Sequence, residues 1–593
     1  MNLIKHFILY YPLSIYIPSE KVLVSENTIL KLTLSVASTE DRESIFRIRH
    51  DVYANELGQY EPQLDGSLAD ADDIKSVYIT ATMGGELAGF AGITPPDSPR
   101  FSVDKFLPRD EIPFTFDEHL FEIRALTVKR SLRGLHISDC LMYAAFRWIE
   151  ARGGKRIVSI GRIEVLDMYL QIGMQKVGRS FKCGSVTYDL ISAEISTLSD
   201  RLKSFSTRLK HVEQSVDWKL GITFHRPSEC YHGGAFFDAI GDHFEDLNKK
   251  NDIINADVLD AWYPPVPEAQ KILLDQLEWI MRTSPPTRAG GLEQTIAKAR
   301  GVRDDCILTG GGSSALIFLA FRHWLNASSR VLILDPTYGE YMHVLENIIQ
   351  CKVERFLLGR RDGYNLNLKS LKKKISNGFD LFVWVNPNSP TGLHVATDEV
   401  EEVLRNSSGC KRIWIDETYI EYVGQEHSLE KFAMNSEKVI VCKSLSKVYA
   451  LSGLRVAYLC APPHQLEELR ALTPPWSVSL PAQIAATYAL KSPDYYIMRY
   501  KETNELRDEL IKGLKDLGIT EIIPGIANFV MFHLPAEVDT AAVIVKKCRE
   551  NGLYLRDISG MGSGVGNRAL RMAVKSGETN QHMMKILENV INQ

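Results

Sequence analysis

VIVCKSLSKVYALSGLRVAYL, residues Val439 to Leu459, decides the fold. An apolar strand-type run ends in Ser444, Ser446 and Lys447, and Arg455 follows beside Gly453. A lone lysine after a strand is most often a solvated surface residue, but the segments upstream change that reading. RIWIDETY places Asp416 at the end of another apolar strand, with Tyr419 three residues on. A carboxylate there lies where open α/β sheets bind ligands, beyond the carboxyl ends of their strands. LFVWVNPNSPTG runs from an apolar stretch into a polar turn holding Asn386 and Asn388. CILTGGGSSALIFLAF sets Gly310, Gly311, Gly312, Ser313 and Ser314 between a short strand and a helix, so free N–H groups and the helix dipole would meet an anion. Taken alone, such a glycine run also reads as a tight turn.

The chain of 593 residues is 45% hydrophobic and 24% charged, with a net charge of −5, which excludes a disordered or collagen-like protein. Mild acidity without a basic stripe argues against nucleic acid as a partner. Nine scattered cysteines form no Cys-x-x-Cys pair, and no His pair has metal spacing, so neither a disulfide frame nor a metal site is expected and a cytoplasmic location is. Phe7 to Ile17 is apolar, but Pro12 interrupts it and no small-residue cleavage site follows, so it reads as a strand or a lead-in. No later stretch could span a membrane, and no membrane partner is expected.

Short strand-like runs alternate with amphipathic helices, the α/β pattern. SDRLKSFSTRLKHVEQSV, from Ser199 to Val216, is polar and helical in period, so residues 196–221 read as a linker helix between units at 29–195 and 222–593.

In this order the C-terminal segments resemble the fold-type I pyridoxal-phosphate enzymes, in the branch of histidinol-phosphate aminotransferases and threonine-phosphate decarboxylases, over residues 225 to 593. The resemblance implies a large mixed-sheet α/β domain with a small C-terminal α+β domain, the cofactor pyridoxal 5'-phosphate (PLP), an amino acid or phosphorylated amino acid as substrate, and a homodimer. Lys447 would form the Schiff base and move the proton at the substrate α-carbon; Asp416 would hold the pyridine nitrogen protonated. Tyr419 would donate to the ring oxygen and Tyr338, in DPTYGEY, would stack on the ring. The cofactor phosphate would sit on Gly311, Gly312 and Ser313, with Ser444, Ser446 and Arg455 adding charge-assisted bonds, and Tyr263, in DAWYPP, would reach the phosphate of the partner subunit. Arg571, in NRALRMAVKS, would clamp the substrate carboxylate; Arg556 and Asn528 match the small domain. Where these enzymes have Asn before Pro-Thr-Gly this chain has Ser389, and Asn388 is the substitute expected through a shifted turn. His232, in ECYHGGAFF, and the Pro475-Trp476-Ser477 segment resemble the decarboxylases, while His232 also reads as a helix-capping residue. Amino-group transfer, α-decarboxylation and elimination share this cofactor set, so the residues leave the reaction type open.

The first unit carries SIFRIRHDVYANELGQYE, acidic LDGSLADADD, VYITATMGGELAGFAGI, then FEIRALTV leading into RSLRGLHISDCLMYAAFRWIEARGG. A strand ending near Val128, a turn at Arg133 and Gly134 and a helix from about Ser138 form an arrangement that binds pyrophosphate on N–H groups. The order resembles the Gcn5-related N-acetyltransferase superfamily, and Arg49-His50 with Val52-Tyr53 resembles its acyl-homoserine-lactone synthase branch. The resemblance implies CoA or an acyl-carrier protein at Arg133, Gly134, Glu122 and Arg124. His136 stands where that superfamily has glycine, and its bulk is expected to obstruct the phosphate. Glu122 and Arg124, two apart on a strand, share a face and alternatively read as a core ion pair. Three readings of the whole chain result: a bifunctional biosynthetic enzyme, a PLP enzyme with a binding module, and a non-catalytic PLP-fold regulator, against which Lys447, Asp416 and Arg571 argue.

Overall fold

The computed structural model describes residues 24–25, 28–29, 31–178, 180–203, 209, 212–213, 215–222, 233–241, 243–244 and 246–592. The lead-in at Phe7–Ile17 and His232 lie outside the described residues. The chain divides into two units, up to Arg226 and from Pro227. Among the described residues no helix is long and apolar enough to cross a membrane.

The N-terminal unit comprises β1 (Leu32–Val36), α1 (Asp41–His50), β2 (Val77–Met83), β3 (Glu86–Thr94), β4 (Leu120–Val128), α2 (Ile137–Glu150), β5 (Arg156–Arg162) and β6 (Val186–Glu194). These strands pair in chain order; β4 and β5 run parallel and the other neighbours antiparallel. Gly84 and Gly85, both at positive φ, form the tight turn between β2 and β3. Ile137, Leu141, Ala144 and Trp148 recur at helical spacing along α2 and join Leu34, Ile79, Ala91 and Ile157 in one core. β4 and β5 pair from Leu120 and Arg156 as far as Ile123 and Ser159.

The linker expected over 196–221 differs from what is found. Helix spans Ile195–Lys203, but Asp217–Lys219 is a strand running parallel to β1. The cause is a period-two run within the polar segment: Val216 and Leu220 are buried, and Trp218 between them meets Tyr143 edge-on at 6.1 Å.

The C-terminal unit centres on β7 (Ile307–Gly310), α3 (Ser313–Trp324), β8 (Arg330–Asp335), β9 (Lys352–Leu357), β10 (Phe379–Val385), β11 (Cys410–Asp416), β12 (Val439–Ser444) and β13 (Ala457–Cys460). The sheet order is β7-β13-β12-β11-β10-β8-β9. β13 opposes both neighbours and the rest run parallel, so the other strands end along one edge. Alternation divides each strand between two cores: Ile413, Ile415, Val439 and Val441 face one, Trp414, Ile440 and Cys442 the other.

A smaller sheet holds β14 (Glu521–Ile523), β15 (Phe529–His533), β16 (Arg556–Asp557) and β17 (Ala569–Ala573), in the order β14-β15-β17-β16. Helices α4 (Pro493–Asp516), α5 (Ala541–Glu550) and α6 (Gly577–Ile591) pack together in this region. Residues 254–263 are tied to it: Ile254–Asn255 pairs with Leu553–Tyr554, Ala573 N donates to the Ala256 carbonyl at 3.0 Å, and Asn528 Nδ2 to that of Leu259 at 3.0 Å.

Candidate functional site

Gly310 and Ser444 both pair with Ala457, so the glycine turn after β7 and the end of β12 lie side by side at the carboxyl edge. Helix α3 begins at Ser313 with Gly312, at φ 99°, in the cap position and no side-chain cap, which leaves first-turn N–H groups for an anion. A Cβ on residue 311 would lie 2.9 Å from the Ser477 carbonyl, and one on residue 312 would meet the Arg455 guanidinium. Arg455 NH1 donates to Ser446 Oγ at 3.3 Å and to the Ser452 carbonyl at 3.0 Å. Ser444 and Ser446 are buried beside it.

Asp416 ends β11 and is buried. Tyr341 donates to its Oδ2 at 2.7 Å, while Thr418 N and Oγ1 donate to Oδ1 at 3.0 and 2.7 Å. Burial raises the Asp416 pKa against the pull of these donors, with Glu340 adding repulsion. A carboxylate in this state gains from a cation placed before it. Tyr338 donates to Glu340 Oε2 at 2.8 Å and meets Tyr341 edge-on at 5.8 Å. Tyr419 is buried against Phe529, with ring centroids 5.3 Å apart. Burial raises its phenol pKa against the pull of Arg571, and Asp416 and Asp260 reinforce the rise.

Lys447 Nζ donates to Asp260 Oδ1 at 2.8 Å. Arg571 on β17 and Arg556 on β16 stand opposite each other in register and therefore share a face. Arg571 NH1 donates to Ser389 Oγ at 3.2 Å and NH2 to the Asp257 carbonyl at 3.4 Å, while its buried Nε has no hydrogen-bond partner among the described residues. Arg556 NH1 lies 3.5 Å from Asp257 Oδ1. Burial pushes the Arg571 pKa down to about 10, Tyr419 opposes this, and Arg556 adds to it.

In the N-terminal unit a cavity of about 660 Å³ is lined by β4 and β5, including Val128 and Arg162 beyond their last mutually paired residues. Arg133 and Gly134 line it, as do Met142, Phe146, Ile172 and Met174. Arg133 pairs with Glu56 at 2.9 Å, and Gly134 sits at φ 89°. Arg124 also lines the cavity, and its NH2 meets Asp70 at 2.9 Å and Asp73 at 3.4 Å. Burial works to raise the Asp70 carboxyl, but Arg124, Lys105 and Arg49 bring it down to about 2. Glu122 departs from expectation, for it does not line the cavity. Its Oε2 accepts from Ser102 N and Thr94 Oγ1, each at 2.9 Å, and its Oε1 from Val103 N at 3.3 Å, so it caps the short turn Ser102–Lys105. It also makes no ion pair with Arg124, because each side chain has taken other partners. The His136 imidazole turns to the first helical turn, its Nδ1 2.9 Å from Asp139 Oδ2, with the side chain 45% exposed.

Residues 264–590 match the family Aminotransferase class I and II. The chain belongs to that family. This aminotransferase also carries a domain of the Acetyltransferase (GNAT) family at residues 42–174. It is 26% identical over 345 residues to histidinol-phosphate aminotransferase of Methanocaldococcus jannaschii, covering 58% of this chain and 91% of the relative. The same enzyme of Rhodopseudomonas palustris is 26% identical over 306 residues, covering 51% and 81%. The aminotransferase unit also has the fold of histidinol-phosphate aminotransferase from Clostridium acetobutylicum, at TM-score 0.51 and 22% identity over 57% of this chain and 98% of that one. L-threonine-O-3-phosphate decarboxylase from Porphyromonas gingivalis has TM-score 0.50 and 23% identity over 57% and 100%. The chain is thus a PLP-dependent transferase fused to a GNAT domain.

The aminotransferase residues fit the cofactor. A glycine turn that excludes any Cβ suits a phosphate, a buried carboxylate with no cation paired to it among the described residues suits a pyridinium, and a half-buried lysine stands at the same edge. Two expectations need correcting. Tyr263 cannot reach a partner's phosphate as placed: it is 2% exposed, and its hydroxyl donates to the Val448 carbonyl of its own chain at 2.8 Å. Asn388 does not replace the missing asparagine, because its amide donates to the Pro336 carbonyl at 3.1 Å and Thr391 Oγ1 at 3.3 Å; Ser389 itself meets Arg571. His232 lies outside the described residues; Gly233 after it packs on Asp257, whose carboxylate oxygens would lie 3.0 Å from a Cβ there. Asp260, Asp257, Tyr341 and Thr418 were missed by sequence reasoning. Thr418, two residues beyond Asp416, carried a signal, since Asp-x-Thr permits the local turn bond.

Proposed function

We propose that the aminotransferase unit acts on an amino acid bearing a second anion such as a phosphate, with Arg571 taking the α-carboxylate and Arg556 the second anion. The observation that carries this reading is the register pairing of two arginines on one face, which concentrates positive charge where a substrate with two anions would be held. Bound PLP supplies the electron sink. Around it Lys447 would hold the aldehyde carbon and move the proton at the substrate α-carbon, and Asp416 would keep the pyridine nitrogen protonated. Gly311, Gly312, Ser313, Ser444, Ser446 and Arg455 would bind the phosphate, Tyr338 would lie on the ring and Tyr419 would donate to its oxygen. The test is a panel of amino acids and their O-phosphorylated counterparts. Arg556→Gln should raise KM for the phosphorylated substrates at least tenfold and leave the others nearly unchanged; equal effects on both would end the assignment.

Loss of carbon dioxide is the second reading, favoured by the packing of Gly233 in the His-Gly-Gly segment on Asp257, beside the two arginines. Pyridoxamine formation supports amino-group transfer, and carbon dioxide release supports decarboxylation. The GNAT domain would acylate the amine so handled, drawing on CoA or an acyl-carrier protein at Arg133 and Gly134. Calorimetry with CoA and acyl-CoA tests this. A homodimer is supported by Leu274, Leu277, Trp279 and Met281, large apolar side chains exposed on adjoining helices Pro267–Asp275 and Leu277–Arg282. Light scattering tests it.

A further inference from the structure

Glu340 is 1% exposed and sits where a carboxylate is poorly suited. The first turn of α3 is laid out for one anion, and Asp416, which Glu340 repels, is a second. A charge is kept in such a place only where strong partners hold it, so its partners show what it does. One oxygen, Oε2, accepts from two hydroxyls on different elements: that of Tyr338 at 2.8 Å and Ser314 Oγ at 2.9 Å. Ser314 is the second residue of α3, next to Ser313 in the glycine turn.

The geometry goes beyond filling a core. Tyr338 is only half-buried although its hydroxyl is anchored, so part of its ring stays accessible. A tyrosine ring swings about two side-chain bonds, and a hydroxyl fastened at its far end removes most of that freedom. The edge-on contact with Tyr341 limits the rest. Tyr341 in turn donates to Asp416 and accepts from Trp414 Nε1 at 2.8 Å. Residues 338 to 341 therefore reach the start of α3 through Glu340 and the end of β11 through Tyr341.

We infer that Glu340 is a positioning residue: it fastens the Tyr338 ring to the first turn of α3, so that the surface for the cofactor ring and the turn for the cofactor phosphate are held in one fixed relation. The inference rests on the reading of Tyr338 as the residue that lies on the PLP ring. A carboxylate serves better here than a neutral acceptor, because charge-assisted hydrogen bonds are the stronger kind and one oxygen has to hold two donors. The tilt of the ring matters to the reaction, since it sets which bond at the substrate α-carbon stands perpendicular to the electron sink.

The experiment uses the full-length protein loaded with PLP. Circular dichroism in the visible band of the lysine-bound cofactor reports how its ring is held, and absorbance titration gives the PLP affinity. Glu340→Leu should lower the visible-band dichroism by roughly half or more and weaken PLP binding several-fold, with the far-ultraviolet spectrum at wild type. Tyr338→Phe keeps the ring, removes the hydroxyl and should reproduce most of that change. In the Tyr338→Phe background Glu340→Leu should then add less than about twofold, because the two residues act through one bond. Glu340→Gln, whose amide oxygen still accepts, should recover most of the wild-type signal. Wild-type dichroism in Glu340→Leu, or losses that multiply in the double variant, overturns the inference. Should Glu340→Leu fold poorly, Tyr338→Phe and Ser314→Ala decide alone: each strips one donor from the same oxygen, and wild-type dichroism in both overturns it. Failure of the underlying reading looks different: Tyr338→Ala would then leave both the PLP affinity and the visible-band dichroism at wild type.

Discussion

Gly312 and Arg455 close on each other so tightly that a Cβ on residue 312 would lie 2.5 Å from a guanidinium nitrogen. Residue 312 also sits at φ 99°, a conformation that costs a side chain about 1–3 kcal/mol. Gly312→Ala should therefore weaken PLP binding by about tenfold or more, read by titrating the visible band, while the far-ultraviolet circular dichroism stays at wild type.

Lys447→Ala should abolish the visible band with PLP and all PLP-dependent turnover with the fold retained. Absorption spectra and product assays check it. A persisting band would mean that another amine holds the cofactor.

Asp416→Asn should keep PLP bound and lose on the order of a hundredfold or more in kcat, because a neutral amide cannot hold the ring nitrogen protonated. Tyr341 and Thr418 already hold both carboxylate oxygens, so the asparagine would keep the side chain in place. Wild-type kcat in this variant would make Asp416 a packing residue.

Lys575 gives a pH dependence whose sign can be worked out. Its pKa is about 8 in the folded chain against 10.5 for an ordinary lysine, so between these values the unfolded chain holds more of the proton. Stability therefore rises with pH across that window, and below about pH 8 the cost of the buried charge is felt in full. In urea unfolding of the cofactor-free protein, Lys575→Met should be more stable than wild type at pH 7, and the gap should shrink towards pH 10.

Arg133→Ala should weaken binding of CoA or acyl-CoA by roughly 1.5–3 kcal/mol, the scale of a charged hydrogen bond, and leave PLP turnover unchanged. Calorimetry measures it. Since the His136 imidazole is engaged by Asp139, His136→Gly should change CoA affinity less than threefold.

The residues that could be read from the sequence are those whose meaning is local. A polar residue closing an apolar strand, as Asp416 does, or glycines between strand and helix, as at 310–312, declare both the sheet edge and what stands on it. The α/β fold of both units was legible for the same reason. Asp260 was not, because its partner is 187 residues away and nothing in DAWYPP records that distance. Glu122 shows a further limit. Strand alternation placed it on the face of Arg124, but which of the groups near that face would take the carboxylate depended on where the turn Ser102–Lys105 came to rest. Tyr263 had a suggestive neighbourhood, and its hydroxyl was claimed by a carbonyl of its own chain. In the polar connector, charge obscured a three-residue strand.

That short strand has a consequence for how the first unit can stand alone. Asp217–Lys219 covers the open side of β1, whose N–H and C=O groups would otherwise offer a template to another chain. Lys219, with its side chain 66% exposed, adds a charge to the new outer rim. A fragment cut at residue 195 would lose this cover and be prone to stick to itself through its sheet, whereas one carried through Arg226 would keep it.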